Sequence, residues 1–152
     1  MTTYLASTIN LAWKVIKSYG IDPADVFAAA HIDTEKVKCA GCRISYSSVN
    51  ELWIHMIRLI KDPCMGLRTA EYWHPSYLNA LGYAWLASST LYDALNRLVR
   101  YIRIVTETIE LDLEERDDEI DLILNYWTAG PDIPQRCDAK MSIFMAMCRA
   151  NY

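Results

Sequence analysis

The sequence lacks any apolar run approaching the roughly 20 residues a membrane-spanning helix requires, and every candidate helix carries charge. No basic N-terminal stretch leads into an apolar core, so no secretory leader or membrane partner is expected and the cytoplasm is the expected compartment. Histidine is scarce: His31, His55 and His74 fall on three separate elements. Cys39 and Cys42 have the spacing of half a zinc site, but no second cysteine pair or histidine pair follows at a usable distance. That argues against a structural zinc. A thioredoxin-type redox pair would want a preceding strand and a helix opening at the first cysteine, and neither is visible. Gly41, Gly66 and Gly82 stand alone, which argues against a phosphate-cradling loop, and no glycine-framed nucleophile occurs. The chain therefore offers no catalytic residue, no metal site and no cofactor. Its five cysteines are an odd count without a disulfide framework, which suits a reducing compartment and thiols that serve as packing residues.

What is present describes a globular chain the size of one domain. Apolar residues make up 53% and charged residues 22%, enough of the first to bury a core and too little of the second for disorder. The net charge is −4, and between Glu107 and Asp121 nine carboxylates meet only Arg116. Such a surface repels phosphates, so no direct nucleic-acid contact by this chain is expected.

Helical spacing dominates the first two-thirds. Ser7 or Thr8 caps a helix running to Tyr19, with Ile9, Trp13 and Ile16 on one face; Gly20 ends it and Asp22-Pro23 starts the next, which closes near His31 and Ile32. Lys36 to Ser45 has no period and reads as loop. Ser47 or Ser48 caps a longer helix with Glu51 set for a capping box and Val49, Leu52, Trp53, Met56, Ile57 and Ile60 on its apolar face. Pro63 opens a short helix, the turn at Trp73-His74-Pro75-Ser76 leads to another through Trp85, and Ser89-Thr90 starts a third bearing Leu91, Ala94, Leu95, Leu98, Val99, Ile102 and Val105. The period then changes to two. Ile109, Leu111 and Leu113, then Ile120, Leu122, Leu124 and Tyr126, predict two strands of a hairpin joined through Glu115 to Glu119, with an acidic polar face. Gly130, Pro131 and Pro134 mark a loop, and Asp138 caps a final helix rich in Met141, Met145 and Met147. The class is α+β: a helix-rich N-terminal two-thirds, an antiparallel β-hairpin, and a C-terminal helix.

The run Asp62-Pro63-Cys64-Met65-Gly66-Leu67-Arg68, then Leu81-Gly82-Tyr83, Ser88, Thr90-Leu91, Ala94-Leu95, Leu98 and Arg100-Tyr101, resembles the N-terminal effector-sensing, arabinose-binding-like domain of AraC-type transcription regulators. Gly66 suits close backbone approach there, and the other small residues suit helix ends. The likeness is weaker outside that stretch, though the order of elements from about Ser7 to Trp127 agrees. The resemblance implies a single sensor domain over residues 1–152, truncated relative to the family, that binds a small-molecule effector. DNA would be contacted by a C-terminal helix-turn-helix domain absent from this chain. With that part missing, the hairpin edge and the last helix's apolar face are expected to lack cover, which favours a homodimer or a swap.

Trp53, Tyr72, Trp73, Tyr77, Tyr83, Trp85, Tyr101, Tyr126 and Trp127 lie in or beside the matching run. Aromatics with polar tips suit a pocket for an apolar ligand body. Trp53, Tyr83, Trp85, Tyr101 and Tyr126 are the candidate lining, with Arg100 as the candidate clamp for an anionic group. The blander reading of Arg97, Arg100 and Arg103 pairs them with the acidic hairpin that follows, and most aromatics at helical spacing are simply core. A purely structural oligomerisation module without an effector is the alternative function.

Overall fold

The computed structural model describes residues 2–39, 41–126 and 133–152. Trp127, the loop marks Gly130 and Pro131, and Ala40 of the Cys39–Cys42 loop lie outside the described residues.

The described elements are β1 (Thr3–Leu5), α1 (Asn10–Ser18), α2 (Pro23–Ala29), α3 (Thr34–Lys38), β2 (Arg43–Ser45), α4 (Tyr46–Ile60), α5 (Ala80–Leu86), α6 (Leu91–Val105), β3 (Ile109–Glu115), β4 (Ile120–Tyr126) and α7 (Pro134–Asn151), with 3₁₀ turns at Ala6–Ile9, Leu67–Tyr72 and Pro75–Leu78. The class is α+β, as the sequence implies. Two antiparallel two-stranded sheets form: β1 with β2, Tyr4 opposite Ile44, and β3 with β4, Leu111 opposite Leu124 and Leu113 opposite Leu122.

Strong periods fold as read. Asp22 accepts a hydrogen bond from the Ala24 N–H (2.9 Å) with Pro23 at the first helical position, and Thr90 accepts one from the Asp93 N–H (3.1 Å). Thr90→Ala should destabilise the chain by about 1 kcal/mol, read as a lower urea midpoint at unchanged slope.

Weak local signals fail. The segment read as loop, Lys36 to Ser45, takes in the end of α3 and all of β2: α3 is a single turn capped by Asp33 with Val37 its one buried residue, too short to show a period. The strand β2 owes its existence to β1, some forty positions away. Ser45, not Ser47 or Ser48, caps α4 by accepting from the Ser48 N–H (3.2 Å), which puts Glu51 too far along to close a capping box. Ser7 and Thr8 cap nothing; their hydroxyls donate to Tyr77 O (2.8 Å) and Leu5 O (2.7 Å). After Pro63 the chain turns, and helical structure begins only at Leu67. Pro134 opens α7 instead of marking a loop, since the first helical position needs no N–H donor, so the helix starts before Asp138. Cys39 and Cys42 are joined in a disulfide rather than held as thiols.

Burial divides into two cores. The first gathers Tyr4, Val15, Ile16, Phe27, Val49, Leu52 and Met56 from β1, α1, α2 and α4. The second gathers Trp85, Leu98, Ile102, Leu111, Phe144 and Met147 from α5, α6, β3 and α7. The last helix is thus covered on the face carrying Phe144 and Met147, while Met141 and Met145 are exposed. The hairpin's outer face carries Glu110, Asp112, Glu114 and Asp121; Arg116 bridges Glu114, Glu119 and Asp121, the last at 2.9 Å.

Candidate functional site

Between the two cores lies an apolar cavity of about 130 Å³. Tyr4, Ile9, Ala12 and Leu52 face it from the first core, and Leu78, Ile102, Val105 and Ile109 from the second. A further wall is one stripe of α7: Arg136, Ala139, Lys140, Ile143 and Phe144 recur at the three- and four-residue spacing that aligns side chains along a helix.

Close backbone contact holds α7 there. A β-carbon added to Gly66 would sit 2.0 Å from the carbonyl oxygen of Gln135, so only glycine lets the Asp62–Gly66 turn touch the first turn of α7. The Thr69 hydroxyl donates to Gly66 O (2.7 Å) and lies 3.1 Å from the hydroxyl of Ser142, which itself donates to Ala139 O (3.0 Å). Further along, the Trp85 indole N–H donates to Met147 O (3.1 Å). The helix is therefore pinned at both ends of the wall it forms.

The polar groups of this wall are donors. The Lys140 Nζ is buried without a hydrogen-bond partner among the described residues, and it sits 4.2 Å from the centre of the Tyr126 ring. Burial, and next the neighbouring Arg136 charge, pull the Lys140 ammonium down to a pKa of about 7. Arg136 is itself buried; it donates a long bond to Asn50 Oδ1 (3.4 Å), lies 5.6 Å from the Tyr46 ring centre, and makes no ion pair among the described residues. The buried Trp73 Nε1 also has no acceptor among the described residues. Among the described residues no aspartate or glutamate lines the cavity. Lining hydroxyls have protein partners: Thr8 donates to Leu5 O, Thr106 lies 2.8 Å from the Thr108 hydroxyl, and Tyr4 accepts from Thr108.

Of the residues the sequence nominated, Trp53 lines this cavity. Tyr126 does not line it: the residue is partly exposed, with the Lys140 ammonium over its ring, and burial of its hydroxyl raises that group's pKa. Trp85 is buried in the second core with its N–H on Met147. Tyr83 is 55% exposed, and Tyr101 lies exposed on α6 with the Arg100 guanidinium 5.4 Å from its ring centre. The expected pairing with the acidic hairpin is made by Arg103, 3.6 Å from Glu110, and Arg97 donates to Ala84 O (3.2 Å). Lys140, Arg136 and Trp73 were not nominated; the available signal was two cations four apart, in line with Ile143 and Phe144. Among the described residues no three of histidine, cysteine, aspartate and glutamate group as metal ligands, and no helix is long and apolar enough to cross a membrane.

A family model described as the arabinose-binding domain of AraC transcription regulators, N-terminal, matches residues 20–151. The chain belongs to this family. The ornithine utilization regulator of Pseudomonas aeruginosa is 28% identical over 108 residues, covering 71% of this chain and 32% of that regulator, so the chain spans about a third of its relative's length. The family is one of regulator sensing domains, not of enzymes. The residues that carry the likeness are architectural. Asp62 caps its turn from the Cys64 N–H (2.8 Å) and accepts from the Tyr19 hydroxyl, Gly66 receives α7, and Gly82 lies against the Pro75 carbonyl, where a β-carbon would approach to 2.0 Å.

Proposed function

We propose that this chain is the ligand-sensing part of an AraC-type regulator: a small molecule occupies the cavity between the two cores and biases the position of α7, and that bias alters DNA binding by another segment of the regulator. The supporting observation is the cavity's place at a seam. A ligand there touches both cores and α7 at once, so it binds one arrangement of the three more tightly than another, which is what a population shift requires. The polar groups also favour a bound state over an empty one, since buried donors without acceptors are costly.

The family name speaks of arabinose and the relative's name of ornithine utilization. Neither molecule suits this wall. A sugar's ring of hydroxyls would meet a largely aliphatic wall, and a diamino acid's ammonium groups would meet Lys140 and Arg136 with no carboxylate among the described lining residues. The effector of this chain is therefore proposed to differ from both.

The test is a thermal-shift panel of compounds about the size of one ring. A true effector at a hundred times its Kd adds about 2.7 kcal/mol, which raises the melting temperature by roughly 5–10 °C for a chain of this size. Binding that leaves the DNA affinity of the whole regulator unchanged overturns the reading.

Self-association is the second reading. Tyr101 and Ile104 are exposed three residues apart on α6, and among the described residues β3 and β4 pair only with each other. Sedimentation at micromolar concentration reads it: a dimer supports this interface, and a monomer removes it.

A further inference from the structure

The composition of the cavity wall goes further than the presence of a cavity. Its apolar part, with Ile9, Leu52, Ile102 and Phe144, is dry in character and offers nothing to hydrogen-bond. Its polar part is a set of donors: the Lys140 ammonium and the Trp73 indole N–H, neither with an acceptor among the described residues, and the Arg136 guanidinium one helical turn away on α7, whose long bond to Asn50 Oδ1 brings it no negative charge. Two cations four residues apart on a helix repel each other, and neither finds a carboxylate among the described residues. Burying such a pair unpaired is unfavourable, and a negative charge brought between them relieves it.

We infer that the ligand is a small organic anion, a carboxylate on a compact apolar body, with its carboxylate held by Lys140 and Arg136 beside Trp73 and its body against the two cores; this rests on the sensing reading above. A guanidinium offers a fork of parallel donors and an ammonium a point charge, so the pair complements a planar carboxylate better than a lone hydroxyl. The volume sets the body. An apolar cavity of ~150 Å³ takes a benzene ring, and this one is of similar size. Cations are excluded by like charge, and neutral isosteres leave both charges unpaired.

The experiment is isothermal titration calorimetry of the intact chain with sodium benzoate and sodium hexanoate, their neutral amides, and benzylamine and hexylamine, at constant ionic strength. At least one carboxylate should bind at a single site at least tenfold tighter than its amide, with no binding of either amine. At pH 8 that binding should draw protons from the buffer, seen as a dependence of the heat on buffer ionisation enthalpy, because the anion recharges Lys140. Lys140→Met should weaken the carboxylate at least tenfold while changing the amide less than twofold; Lys140→Gln serves if the first variant does not fold. An amide or amine that binds as tightly as its carboxylate overturns the anion assignment and leaves the sensing reading standing. Absence of binding by every compound overturns the anion assignment as well, and the sensing reading then stands or falls on the thermal-shift panel.

Discussion

Gly66→Ala will cost about 3 kcal/mol or more and will loosen α7 from the wall it forms. The added methyl has no space: its β-carbon would lie 2.0 Å from Gln135 O and 2.9 Å from Gln135 C. These are backbone atoms, so no rotamer change relieves the clash and one segment must retreat. Overpacking of a fitted site typically costs 1–3 kcal/mol, and a clash with main chain belongs at or above the top of that range. The damage would spread along the helix, since Thr69 and Ser142 lock the same contact and Arg136 follows Gln135 directly. Urea denaturation should show a lower midpoint, and whichever compound binds the wild-type cavity should bind the variant more weakly. An unchanged midpoint would mean that α7 does not pack on this turn.

Lys140→Met will stabilise the unliganded protein by about 2–4 kcal/mol at pH 6, an upward shift in melting temperature on the order of 5–10 °C. The cause is the buried ammonium, whose pKa falls from the ordinary 10.5 to about 7. Methionine fills similar volume without charge, and the lost contact with the Tyr126 ring offsets part of the gain. The pH dependence fixes the sign. Between pH 7 and 10.5 the unfolded chain holds a proton at Lys140 that the folded chain has released, so wild-type stability rises with pH through that window. The methionine variant lacks this rise, so its advantage is largest below pH 7 and fades toward pH 10.5. Among the described residues the groups facing Lys140 are Arg136 and Cys137 on α7 and Tyr126 on β4, with Tyr4 of β1 on the same cavity wall. Burial raises both tyrosine hydroxyls above their usual range, so neither ionises early enough to mimic the effect. Melting curves at pH 6 and pH 9 check it: an equal shift at both would mean that Lys140 is not held neutral by burial. A gain in stability bought with lost anion binding is the pattern of a side chain kept for function.

Long elements with repeated burial were legible before any coordinates. The helices α4 and α6 run four turns each, and their inward residues Val49, Leu52 and Met56, then Ala94, Leu98 and Ile102, keep the helical period. The hairpin was legible from its period of two. By contrast α3 and β2 bury one residue each, Val37 and Ile44, and one residue defines no period. The site was less legible still. Trp53 was nominated for its polar-tipped ring, and so were Tyr83 and Tyr101, which face outward on their helices. Nothing in the local sequence separates an aromatic that lines a void from one that meets solvent.

The sequence alone determined the α+β order, the capped helices at Asp22 and Thr90, and membership of a regulator sensing family, because each depends on residues close together along the chain. Tertiary structure decided where the cavity lies and which groups stand unpaired in it. A lysine on an amphipathic helix is normally solvated, and Lys140 is not, because Gly66 draws the start of α7 against a turn some seventy residues earlier in the chain. That contact turns an ordinary basic stripe into the polar wall of a cavity, and no local spacing encodes it.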